Sequence, residues 1–245
     1  MVKKFLRPIS LLLGKVLDAL PYQKRIVLNP GWGGLGDALQ YSTLPEQFWK
    51  QKGQYTYLYE GYKTRNSEIY DLVWARNPYV LGKSSGRPNA GDTATYSNCT
   101  GNFIKNIELS HGLDPVNKSP VVYLEHGLDR PNNLILVDLS SLSISQSEFK
   151  NEHSRVCAYL DTRLASEPKG AIRKVAFMNS EANALNWQRD YPQLDALEEV
   201  HVHSLVKYAY LILGAQELVA FHSGAVALAS ALKVKNTRLK ITCLI

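Results

Sequence analysis

Short apolar runs bounded by turn residues alternate along this chain with longer segments of helical period, and that alternation leaves few architectures open. After Pro21, RIVLN reads as a buried strand, ALQYSTLPEQFWKQKG as a helix, and QYTYLYEG, with alternating aromatics, as a second strand stopped at Gly61. SEIYDLVWARNP follows as a helix closed by Asn77-Pro78, and a short strand is expected around Tyr79–Leu81. A second cycle begins near Asn132: LILVDLS, FKNEHSRVCAYLDTRLAS, IRKVAFMNS, EEVHVH, SLVKYAYLILGAQ, LVAFHS and GAVALASALK read as strand, helix, strand, strand, helix, strand, helix. Strands that alternate with helices call for parallel sheets with helical crossovers. The expected fold class is therefore α/β, with two Rossmann-like doubly wound domains facing one another, 25–128 and 129–245, joined near residues 125–132 and preceded by a segment 1–24.

Between the cycles, residues 84–101 are rich in Ser, Gly, Asn, Thr and Pro and read as a loop; NFIKNIELSHGL reads as a helix and SPVVYLE as an edge strand or connector. Hydrophobic residues at 45% and charged residues at 20% are ordinary for a folded chain with a core, which excludes a mainly disordered one. The net charge of +6 is concentrated in residues 1–25, where Lys3, Lys4, Arg7, Lys15, Lys24 and Arg25 face Asp18 alone. The remainder is close to neutral and lacks the clustered basic face of a nucleic-acid-binding protein. In residues 1–24, Phe5, Ile9, Leu12, Val16 and Leu20 share one helical face, giving a short basic amphipathic helix. Its apolar run is too interrupted to span a bilayer, and no small-x-small cleavage site follows. Residues 1–20 are expected to pack on the protein's own body or to lie on an anionic membrane surface, with the protein cytoplasmic and peripheral. Cys99, Cys157 and Cys243 are odd in number and widely spaced, which suggests neither a disulfide framework nor a zinc knuckle.

The most informative loop is NPGWGGLGDALQ. Gly31, Gly33 and Gly36 satisfy G-x-G-x-x-G between a strand and a helix, and Glu60 ends the next strand, as in a dinucleotide site. Two residues argue otherwise. Pro30 stiffens the approach to the glycines, and Asp37 places a carboxylate in the first helical turn, where it would repel a pyrophosphate docked on the same N–H groups. An acid there suits a base or an acceptor-binding group, or it simply begins the helix.

GLGDALQYSTLP resembles the N-terminal motif of heptosyltransferase-type glycosyltransferases, and GGLGDALQYS is similar to the GGLGNQ loop of fucosyltransferases of the same two-domain class. SLVKYAYLILGAQELVAFHSGAVALASALK resembles the heptosyltransferase segment that leads to Asp-Ser-Gly and a His-Leu-Ala helix. The resemblance touches most of residues 25–235 and implies a GT-B arrangement in compact or truncated form: acceptor on the first domain, nucleotide-sugar on the second, no cofactor and no obligatory metal. It makes Asp37 the catalytic base, gives Gly33, Gly34 and Gly36 an acceptor or phosphate loop, and assigns the donor to His222, Ser223, Gly224 and Ala225. Three positions depart from the pattern: His222 stands where the family has Asp, Ala227 where it has His, and Gly31 where a basic residue often lies. The chain is also short for this fold and ends at the expected strand ITCLI.

The implied activity is transfer of a sugar from a nucleotide-sugar to a glycan or lipid-linked acceptor, inverting and metal-independent, in polysaccharide biosynthesis. Two other readings stay open: a dinucleotide-binding oxidoreductase built on the glycine pattern, and a non-catalytic binding protein descended from the transferases. Ser140, Ser141 and Ser143 follow a strand end and suit helix capping or a cleft lining. Lys174, Arg173 and Arg189 read as surface charges before phosphate partners. His201 and His203 share a strand face but have no third ligand at metal-binding spacing. Trp32, Trp49, Trp74 and Trp187 offer rings for stacking on sugars, core or rim positions being the commoner fate.

Overall fold

The computed structural model describes residues 25–91, 101–125, 133–141, 144–168, 170–177 and 187–245. The N-terminal amphipathic segment, Cys99 and Ser143 lie outside these. The chain divides into two compact units, Met1–Lys118 and Ser119–Ile245.

In the first unit, β1 (Arg25–Asn29), β2 (Tyr55–Tyr59), β3 (Val80–Ser84) and β4 (Ala90–Gly91) form one parallel sheet in the order β3-β2-β1-β4. Val27, Leu28 and Leu58 are fully buried, which is why these runs read as continuously apolar: a parallel sheet is covered on both faces. Burial of each such leucine contributes about 1.5–3 kcal/mol. β4 lies inside the stretch expected to be loop. Its partner register, Leu28↔Ala90 and Asn29↔Gly91, depends on glycine: Gly91 has φ 93°, and a Cβ there would sit 2.0 Å from the Asn29 carbonyl oxygen.

The segment expected as one helix over ALQYSTLPEQFWKQKG is two, α1 (Leu35–Gln40) and α2 (Leu44–Lys52). Pro45 enters the first turn of α2, where its missing N–H costs nothing, whereas in a continuous helix its ring would meet the carbonyl four residues back. Ser42 closes α1 by donating its backbone N–H and its hydroxyl to the Leu39 carbonyl, at 3.1 and 2.6 Å. The next helix begins as α3 (Ser67–Ile69), capped by the Asn66 side chain on the Glu68 N–H at 2.8 Å, and widens into a π turn over Tyr70–Trp74. There the Ala75 N–H bonds the Tyr70 carbonyl at 2.9 Å, and Trp74 is fully buried. α4 (Phe103–Ser110) follows, and residues 119–125 are a connector without strand pairing.

In the second unit, β5 (Ile135–Asp138), β6 (Ile172–Phe177), β7 (Glu199–Val202), β8 (Glu217–Ala220) and β9 (Lys240–Cys243) are parallel in the order β7-β6-β5-β8-β9. Helices α5 (Gln146–Ser166), α6 (Leu205–Gly214) and α7 (Gly224–Lys233) connect them, with 3-10 turns at Trp187–Asp190 and Pro192–Leu194. β5 and β8 are buried along their whole length. The core runs from Ile135, Val137 and Val219 to Val156 and Leu160 of α5, and on to an aromatic group of Phe149, Tyr191 and Phe221. At the opposite end of the sheet, the buried carboxylate of Glu217 takes Arg163 at 2.7 Å, Lys240 at 3.0 Å and the Thr242 hydroxyl at 2.6 Å. Among the described residues no helix is long and apolar enough to cross a membrane.

Candidate functional site

Each sheet reverses its winding once, between β1 and β4 in the first unit and between β5 and β8 in the second. In open α/β sheets, ligands bind outside the carboxyl ends of the strands at such points. The two loops singled out in the sequence, Gly33–Asp37 and His222–Ala225, leave the carboxyl ends of β1 and β8.

The first loop is a close-packed backbone. The Gly33 carbonyl accepts the Arg65 N–H at 2.9 Å, and a Cβ on Gly33 would stand 2.3 Å from the Lys63 carbonyl oxygen. Gly34 is the N-cap of α1; its N–H donates to Asp37 Oδ2 at 3.1 Å. Gly36 lies within α1, a helix of 6 residues. One N–H that a pyrophosphate would use is thus taken by a carboxylate of the same loop, which counts against the dinucleotide reading of G-x-G-x-x-G. Glu60 is exposed at the end of β2. The Tyr62 hydroxyl donates to the Trp32 carbonyl at 3.2 Å; burial, with Asp37's negative charge second, pushes that phenol well above its ordinary range. Beyond it, His111 Nε2 accepts the Gly91 N–H at 2.9 Å, while Nδ1 stands 2.7 Å from the Ile107 carbonyl. These partners place the ring proton on Nδ1. Burial chiefly lowers the pKa of His111, with Lys52 adding to it against the two backbone hydrogen bonds.

In the second unit, side chains make the geometry. Asp138, fully buried at the end of β5, accepts the Ser140 N–H at 3.0 Å, the Ser140 hydroxyl and the Tyr208 hydroxyl of α6. Burial raises its pKa above the ordinary carboxylate value, the three donors opposing. Ser141 donates its hydroxyl to the His222 carbonyl at 2.9 Å, and its own carbonyl receives Trp187 Nε1 at 3.2 Å. The His222 N–H reaches the Ile245 carbonyl at 3.0 Å, so the backbone at 222 is held from two sides while its imidazole is exposed. Ser223 is the N-cap of α7 and accepts the Ala225 N–H at 3.2 Å. Gly224 and Ala225 open the helix, in the turn whose N–H groups have no carbonyl within the helix. The N-terminus of α5 is a capping box: Ser145 and Glu148 exchange hydrogen bonds, which hold the Glu148 carboxyl below its ordinary range, with His222 a lesser contributor.

The structure thus groups Ser140, Ser141, His222, Ser223, Gly224 and Ala225 at one switch point, and Gly33, Gly34 and Asp37 at the other. Arg173 and Lys174 pair with Glu198 and Glu199, each at 3.2 Å, and His201 and His203 are exposed. Sequence reasoning missed Asp138, Tyr208, His111 and Glu148. The S-x-x-E spacing of Ser145 and Glu148 was a readable capping-box signal; nothing local announced the Asp138–Tyr208 pair, which lies 70 positions apart.

No protein-family model matches this chain, and no curated protein matches it in sequence. Among solved structures it is similar to the iron-containing dodecameric glycosyltransferase TibC of enterotoxigenic E. coli H10407, with TM-score 0.57 and 17% identity over 89% of this chain and 57% of that one. It is also similar to TibC, described as a dodecameric iron-containing heptosyltransferase, in complex with ADP-D-beta-D-heptose, with TM-score 0.53 and 13% identity over the same shares. The chain spans 57% of the length of the TibC chain it matches. The chain shares the α/β fold of these heptosyltransferase structures, as the alternation of strands and helices and the resemblance implied. Among the described residues no group of three or more His, Cys, Asp or Glu stands close enough to hold a metal ion.

Proposed function

We propose that the protein is a glycosyltransferase that moves a sugar from a nucleotide-sugar donor to a glycan or lipid-linked acceptor. The observation that carries this reading is the placement of the Gly33–Asp37 and His222–Ala225 loops at the two switch points of a fold shared with TibC. In this reading Asp37 keeps one carboxylate oxygen on the Gly34 N–H and uses the other to take the proton of the attacking acceptor hydroxyl. The bond between the sugar's anomeric carbon and the diphosphate oxygen breaks as the new glycosidic bond forms, with inversion. Charge develops on the departing nucleoside diphosphate. The N–H groups of Gly224 and Ala225 and the Ser223 hydroxyl receive it, the anion displacing Ser223 Oγ from the Ala225 N–H because a charged acceptor makes the stronger bond. The exposed imidazole of His222 brings no negative charge to that turn.

Thermal-shift titration with ADP, UDP, GDP, CMP and their sugars is the first test. A ligand at about 100 times its Kd adds about 2.7 kcal/mol to the stability of the folded state. One nucleoside diphosphate and its sugar are expected to raise the Tm. Asp37→Asn is expected to leave that shift intact while lowering transfer by about 10² to 10⁴. No shift with any nucleotide would reject the transferase, and equal loss of binding and turnover in Asp37→Asn would remove Asp37 from the base role. In the same proposal residues 1–20 dock on an anionic membrane; their deletion would then free the protein from anionic vesicles without altering its Tm.

A further inference from the structure

An indole is among the costliest side chains to leave in water, yet Trp32 is 59% exposed, more than any other aromatic among the exposed large hydrophobic residues. It is not exposed through looseness. Its backbone N–H donates to the Pro30 carbonyl at 2.9 Å, and its backbone carbonyl receives the Tyr62 hydroxyl at 3.2 Å. The next residue, Gly33, is tied to the Arg65 N–H and wedged against Lys63 so tightly that it has no room for a Cβ. Behind it, the Gly31 N–H reaches Asn29 Oδ1 at 3.4 Å. The backbone carrying the ring is thus anchored at four points over three consecutive residues, 31–33, at the switch point of the first sheet.

We propose that the exposed face of Trp32 is a binding platform for a pyranose ring of the acceptor glycan, a reading that rests on the transferase function above. A pyranose presents a patch of C–H bonds to an aromatic face and directs its hydroxyls outward. A backbone held still before the ligand arrives leaves only the two side-chain torsions of the indole to be ordered on binding. The platform shares its loop with Asp37, whose charge already bears on Tyr62, the residue that anchors Trp32. A carboxylate in the same loop accepts sugar hydroxyls and repels phosphate, which favours a neutral glycan face over a nucleotide as the occupant.

The test uses iodide quenching of tryptophan fluorescence in the full chain carrying Trp49→Phe, which removes the other well-exposed indole, Trp49 at 39%. Probes are methyl pyranosides of glucose, galactose, mannose, N-acetylglucosamine and a heptose, a lipooligosaccharide core fraction, and adenosine, uridine and guanosine. At least one glycan is expected to shield Trp32 saturably. Trp32→Ala should weaken that glycan about tenfold or more, Trp32→Phe should recover most of the loss, and both variants should keep the parent Tm and nucleoside diphosphate binding. Shielding by nucleosides but not glycans overturns the proposal, as does shielding by neither, or a Trp32→Ala variant that binds glycan with unchanged affinity. Glycan shielding without nucleotide binding would retire the transferase reading and leave the platform standing; nucleotide binding without shielding would do the reverse.

Discussion

The two switch points solve one problem with different materials. At the first, backbone packs on backbone: Gly33 against Lys63 and Arg65, Gly91 against Asn29, with glycine where no side chain fits. At the second, a buried carboxylate organises the loop through three donors, and a serine hydroxyl ties it to the neighbouring strand end. The first arrangement is intolerant of added atoms and the second of removed ones. Either one restrains its loop from several sides, which a site built of few residues requires.

Substitutions can break this contrast in order of size. Asp138→Ala should be the most damaging, about 3 kcal/mol in denaturant unfolding, because it leaves the buried Tyr208 hydroxyl, and the half-buried Ser140 hydroxyl and N–H, without their acceptor. Gly33→Ala should cost about 2 kcal/mol by forcing the loop off Lys63, while alanine at an exposed position of the same unit, such as Arg76→Ala, should be close to neutral. Ser223→Ala should cost about 1 kcal/mol as the loss of an N-cap, read from the same unfolding curves.

The smallest effect is the most discriminating, because the two switch points should respond to pH with opposite sign. Burial holds His111 below 6.5, so the unfolded chain takes the proton first. The stability this neutral ring contributes is complete above about pH 6.5 and is lost as pH falls below it and through the lower folded-state value. Burial holds Asp138 above 3.8, so its contribution is complete below that pH and is lost as pH rises through the folded-state value. Hydrogen-exchange protection factors at the Gly91 and Ser140 amides, followed from pH 7 downward, should fall at Gly91 and hold or rise at Ser140. Parallel behaviour at both would show that neither group controls its loop.

Much of this architecture was legible in the residues. Fully buried parallel strands such as RIVLN and ILVD declare themselves by continuous apolar runs, and GAVALASALK begins at its glycine as the sequence suggested. The break between α1 and α2 was legible too, since Pro45 stands where a helix cannot continue, but the apolar period across it masked the signal. β4 was not legible: two residues carry no period, and their pairing depends on a histidine 20 positions later. The site divides in the same way. Asp37, Ser223 and Gly224 sit at strand-to-helix junctions that a local pattern marks. Asp138, Tyr208 and His111 matter through partners brought close only by the completed sheets.

The π turn at Tyr70–Trp74 bears on how such chains change length. One more residue in a helical turn rotates the residues after it by about 100°. Here the wide turn accommodates that residue and still delivers Trp74 to the interior. Losing a residue between 70 and 74 would therefore return the turn to regular α geometry and leave the Asn77-Pro78 corner close to its line. Across distant chains of this fold, a one-residue gap is expected to fall in this turn, because the helix on either side keeps its face.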